Sequence, residues 1–134
     1  MKPIKIRSLN YPAKILLAWK EAIGGNKEIR SFLLKSKYKE LGVFCFALMN
    51  DKSSREWLLK NNYAHLLALI HGVEGKTDAW YWLKKNEFTT LFHMARGGDS
   101  WKESLDWLKE RDKILYGITP VSYTHLTLPT RCLG

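Results

Sequence analysis

The 134-residue chain is poor in cysteine: Cys45 and Cys132 are its only two, which makes neither a disulfide framework nor a metal-ligand spacing. It has no apolar run approaching the ~20 residues that a membrane-spanning helix needs. The stretch Ile15-Leu16-Leu17-Ala18-Trp19 is bracketed by Lys14 and Lys20, too tightly for the apolar region of a secretion signal. Acid is in deficit as well, with 13 Asp and Glu against 22 Lys and Arg, a net charge of +9. There is no glycine-rich loop following a strand, and no serine or cysteine in a nucleophile setting. These absences exclude a disulfide-stapled mini-protein and a helical membrane protein, and make a reducing cytoplasm the default compartment.

The composition is that of a folded protein. Hydrophobic residues at 46% and charged residues at 26% argue against disorder, and the length allows one domain with a core that folds unstapled. The positive charge is unevenly placed. Residues 1–39 carry ten bases against Glu21 and Glu28, whereas residues 40–120 carry eleven of each sign. The basic segment 2–39, with Lys14, Lys20, Lys27, Arg30, Lys35, Lys37 and Lys39, reads either as a solubilising surface or as an attractor of nucleic acid or another anionic surface. Cys45 lies in the apolar run Val43–Leu48, where a free thiol acts as a small hydrophobe.

The strongest signal is an internal repeat. Phe32-Leu33, Trp57-Leu58, Trp82-Leu83 and Trp107-Leu108 follow one another at steps of 25 residues. The same step links Tyr38, Tyr63 and Phe88; Leu16, Leu41, Leu66, Leu91 and Tyr116; Trp19, Phe44, Leu69 and Met94; and the small residues Ala22, Ala47, Gly72 and Gly97. Each unit reads as two short helices. The first starts at a polar cap, Asn26, Asp51 or Ser100, with Ser100-Trp101-Lys102-Glu103 spaced as a capping box. In the unit 51–75 the first helix breaks at Lys60-Asn61-Asn62. The second starts near Tyr63 and closes at Gly72-Val73-Glu74-Gly75.

Helices of about ten residues are marginal alone in water, so each hairpin must bury its apolar stripe against the next. The fold class expected is all-α, a short α-solenoid of tandem hairpins over residues 1–120. Its units span about 1–25, 26–50, 51–75 and 76–100, with a partial unit over 101–118. Phe32, Trp57, Trp82 and Trp107 are expected to form the buried spine, so that Trp57→Ala would cost about 3–5 kcal/mol.

Pro120 and Pro129 prevent a helix across the last residues, which carry no repeat register. Ser122–Thr130 resembles a peptide obtained by translating adapter-like DNA, which marks 121–134 as a non-native tail and the chain as truncated. On that reading the last unit lacks its second helix, its apolar side is left open around Trp107, and the chain self-associates there.

The segments Asn10–Trp19, Trp57–Tyr63 and Leu66–Gly75 resemble a functionally uncharacterised family of small bacterial helical-repeat proteins. That resemblance covers residues 1–110 or so, and implies a fold but no activity. More loosely, Ala47–Asp51 followed by Trp57–Lys60 is similar to the helix pair of ankyrin repeats, without room for their β-hairpin. This resemblance implies protein binding by analogy.

No catalytic constellation emerges. His65, His71 and His93 occupy different repeat positions, and His65 and His71 are six residues apart rather than one helical turn. Asp106 and Glu110 lie one turn apart amid Lys109 and Arg111, as solvated charges do. The expectation is a chain that is not an enzyme and holds no metal or cofactor. It would instead bind an unknown protein partner, or alternatively nucleic acid or an anionic surface through 2–39. One column, Glu21, Phe46, His71 and Arg96, changes character from unit to unit while its neighbours stay apolar or small. It is the candidate partner-binding surface, or else unconstrained solvent-facing sequence.

Overall fold

Nine residues of helix, three of turn, ten of helix and three of turn add up to the 25-residue period. The computed structural model describes residues 9–119. Its helices are α1 (Ala13–Ile23), α2 (Lys27–Lys35), α3 (Lys39–Leu48), α4 (Lys52–Lys60), α5 (Ala64–Val73), α6 (Thr77–Lys85), α7 (Thr89–Gly98) and α8 (Lys102–Arg111). A ninth, α9, spans 113–119, and no strand occurs among the described residues. The first helices of the units, α2, α4 and α6, start one residue after the expected positions 26, 51 and 76. From α1 to α8 each helix packs on the next in succession, as short turns require of antiparallel neighbours.

The turns repeat their chemistry. Where a second helix hands over to the next first helix, the residues Gly25, Asn50, Gly75 and Ser100 all take positive φ, between 71° and 114°. The next residue's N–H then reaches back five residues, as from Asn26 to the Glu21 carbonyl and from Trp101 to the Arg96 carbonyl, both at 3.0 Å. This is the Schellman closure. Asn26 and Asp51 cap α2 and α4, accepting from the Ile29 and Ser54 amides. Ser100 does not cap α8. It is the left-handed closing residue, Trp101 occupies the cap position with no side-chain bond, and the capping-box reading is corrected.

The buried spine is the leucine column, not the aromatic one. Leu33, Leu58, Leu83 and Leu108 are all 0% exposed. Of the residues beside them, Phe32 is 55% and Trp82 40% exposed, and Trp57 and Trp107 are half-buried. Adjacent residues on a helix point about 100° apart, so only one of each pair can face the core. Trp57 and Trp107 pack against the margin of the core, and two of the rings also lie at the hairpin turn. Trp57 stacks on Tyr63 (5.9 Å, 6°) and Trp82 on Phe88 (5.8 Å, 12°). The small column does let helices approach: a Cβ on Gly72 would meet Ala95 Cβ at 2.6 Å.

Neighbouring units are also clamped by side chains. Arg30 and Arg55, at one repeat position, donate to the carbonyls of Ala22 (3.2 Å) and Ala47 (2.9 Å). Trp80 Nε1, at the same position, donates to the Gly72 carbonyl (2.8 Å).

The second helices pack in a row, α1 on α3, α3 on α5 and α5 on α7. The column Trp19, Phe44, Leu69, Met94 and Thr119 supplies one residue from each of α1, α3, α5, α7 and α9, and all five line a single cavity of about 30 Å³. Adjacent packed helices stand about 8–10 Å apart, so equivalent residues in an extended row would be spread too far to meet. The row therefore curves until α9 comes beside α1, and a Cβ on Gly117 would lie 3.4 Å from Lys20 Nζ. The expectation that the last unit lacks a second helix is corrected on the same ground. α9 takes that place, with Leu115 and Ile118 buried. The tail 121–134 lies outside the described residues.

Candidate functional site

The hairpins expose two distinct surfaces. The first is a groove of about 750 Å³ between α4 and α6, floored by α5. Leu59 and Trp82 form its walls, Ala64, Leu67, Ala68 and His71 its floor, and Lys76, Thr77 and Asp78 one end. Comparison of repeat positions explains why it is open. Ala64 stands where the units on either side have Lys39 and Thr89, Ala68 where those two have Val43 and His93, and Ala79 where the other first helices have Ile29, Ser54 and Ser104. The equivalent troughs are filled. Next to α3, Leu34 lies where a Cβ on Gly42 would be 2.9 Å away, and Lys39 sits over Trp57. Next to α7, His93 stacks on Trp107 at 4.1 Å, while Lys84 and Arg96 sit over Phe92.

The column proposed from sequence as partner-binding is distributed unevenly. Glu21 is exposed and Phe46 is half-buried, with Arg30 over its ring at 5.3 Å. His71 enters the groove, where burial and then the cations Lys76 and Arg55 lower its pKa from the ordinary 6.5. Arg96 is held between Phe92 (5.0 Å) and Trp101 (4.4 Å) and reaches Glu103 at 3.2 Å. His71 is thus the member that lines an open space.

The second surface is an edge. The turns from first to second helix, with their flanking residues 33–41, 58–66, 83–91 and 108–116, all lie on one side of the stack. They carry nine bases against Glu40, Glu87, Glu110 and Asp112, a net +5. The bases are Lys35, Lys37 and Lys39, then Lys60, then Lys84 and Lys85, then Lys109, Arg111 and Lys113, and every one is exposed. The opposite edge, in equivalent windows 20–28, 45–53, 70–78 and 95–103, carries six bases and seven acids. The basic patch expected from 2–39 is therefore split. Lys14, at the repeat position of Lys39, joins Lys35, Lys37 and Lys39 on the basic edge, whereas Lys20, Lys27 and Arg30 lie toward the other.

Other reactive groups are sealed. Ser104 Oγ and His93 Nδ1 are 2.9 Å apart, but Ser104 is 0% exposed, so no substrate reaches the hydroxyl. Burial, then Arg96 and Arg111, pull the His93 pKa down to about 4. Cys45 is buried, its thiol pushed up to about 12 by desolvation, as a small hydrophobe would be. Among the described residues no three His, Cys, Asp or Glu converge on a common point, and no helix is long and apolar enough to cross a membrane.

Comparison with protein-family models, with curated proteins and with solved structures finds no match. The class rests on the fold alone: an all-α helical-repeat protein.

Proposed function

We propose that this chain is a non-catalytic binding module that takes a protein partner in the groove over α5. The observation that carries the reading is the groove itself, an open apolar trough with Leu59 58% and Trp82 40% exposed on its walls. An exposed apolar concavity of this kind marks interaction sites. The groove runs along a helix between two others, a shape that receives side chains from a partner segment. His71 places a titratable ring on its floor.

The test is to fill the groove. Ala68→Trp places a large ring on its floor, and circular dichroism checks that the helices persist. Partners captured by the native chain and lost by the filled variant support the reading. A partner set identical for both proteins counts against it, as does capture of nothing by the native chain.

A further inference from the structure

We propose that the basic edge is a second binding surface, which holds single-stranded nucleic acid along the turns that follow α2, α4, α6 and α8. The argument begins with placement. Bases at helix C-termini offset the macrodipole, which accounts for Lys35, Lys60 and Lys85 at the ends of their helices. It does not account for Lys37, which lies in a turn. Nor does it account for Lys39 and Lys113, the first residues of α3 and α9, where the dipole disfavours a cation. Charge has been gathered on this edge beyond what its helices call for.

The charge is also left unneutralised. The ion pairs Arg55–Glu74 and Arg96–Glu103 belong to the opposite edge, and Lys102–Asp106 lies along α8. On the basic edge, Arg111–Glu110 at 3.8 Å is the ion pair formed among the described residues. Lys37, Lys39, Lys84, Lys109 and Arg111 lie over aromatic rings, contacts that hold a cation without cancelling its charge, and a row of such cations repeated from hairpin to hairpin matches a polymer with regularly spaced negative charge.

Exposed aromatic rings favour nucleic acid over an acidic polypeptide. Phe32 (55% exposed) precedes Lys35 by three residues on α2, and Tyr81 (64% exposed) lies within one turn of Lys84 and Lys85 on α6. Unstacked bases pack on such rings beside a cationic track, whereas a glutamate-rich chain has no use for them.

Fluorescence anisotropy with a labelled 20-residue oligothymidylate tests the proposal. Binding through five phosphates gives log K a slope near −3.5 against log salt, about 100-fold weakening between 50 and 200 mM. Two triple variants separate edge from total charge. Reversing Lys35, Lys60 and Lys85 to Glu must weaken binding at least tenfold more than reversing Lys27, Lys52 and Lys102, which occupy one repeat position at the other edge. Phe32→Ala and Tyr81→Ala should each cost about fivefold or more, with circular dichroism unchanged throughout. No binding at 50 mM salt overturns the proposal, as does equal weakening by the two triple variants. Polyglutamate that binds as tightly as the oligonucleotide, or aromatic variants with native affinity, would show the edge to be a surface for acidic protein instead. The groove-filling variant leaves this binding unchanged, so the two surfaces succeed or fail independently.

Discussion

Leu58 and Trp57 are neighbours in sequence and opposites in role. Leu58 is 0% exposed in the contact between hairpins, so Leu58→Ala leaves a cavity and should cost about 2–5 kcal/mol. Trp57 is half-buried, and Phe32, at the same repeat position, is 55% exposed. Phe32→Ala should therefore shift stability by about 0.5 kcal/mol or less, and urea denaturation of both variants checks the order. His93 gives a pH dependence with a definite sign. Its pKa falls from 6.5 to about 4 on folding. As pH drops below 6.5 the unfolded chain takes up a proton that the folded chain refuses until near 4. This contribution is complete above pH 6.5 and is lost progressively between 6.5 and about 4. The urea midpoint should fall between pH 7 and pH 5, and fall less in His93→Gln.

At the scale of helices, the clamp between hairpins is a testable unit. Trp80→Phe keeps the ring in place but removes the donor to the Gly72 carbonyl. That carbonyl retains the Gly75 amide at 2.9 Å, so the loss should be confined to about 0.5–1.5 kcal/mol, read as a lower urea midpoint with an unchanged slope. Helix starts were legible in the sequence because the apolar register passes from unit to unit without an insertion. The inward face is not legible in the same way, because an aromatic and a leucine occur together in every unit and size alone favours the ring for the core. Stacking on Tyr63 and Phe88 across the turn offers the rings another apolar partner, which a column of residue types does not reveal. The groove was hidden for a different reason. It depends on Ala64, Ala68 and Ala79, three small residues on two helices, and absent volume leaves little trace in a pattern of hydrophobicity. The basic edge had a usable signal, the lysine column Lys35, Lys60 and Lys85. Its charge is spread over four turns 25 residues apart, so it does not stand out along the chain.

For the whole molecule, α9 matters more than its length suggests. Leu115 is 5% and Ile118 2% exposed, and Ile118 and Thr119 share the central cavity with Trp19. Ending the chain after Asp112 should uncover Trp19 and Met94. The expected result is a red-shifted tryptophan emission and self-association on size exclusion that persists in high salt, because the newly exposed surface is apolar. A monomer with native emission would show that α9 is dispensable to the closure.

That closure has a consequence for how such a protein can change. An open solenoid gains or loses units freely, because each touches only its neighbours. Here Trp19, Phe44, Leu69, Met94 and Thr119 meet around one axis, and their sizes together determine how much space is left. A duplicated unit would have to enlarge the circle, opening a void that these five side chains do not fill, or drive the two ends past each other. Tandem duplication, the mutation by which repeat arrays grow, therefore meets a packing cost here that an open array does not impose.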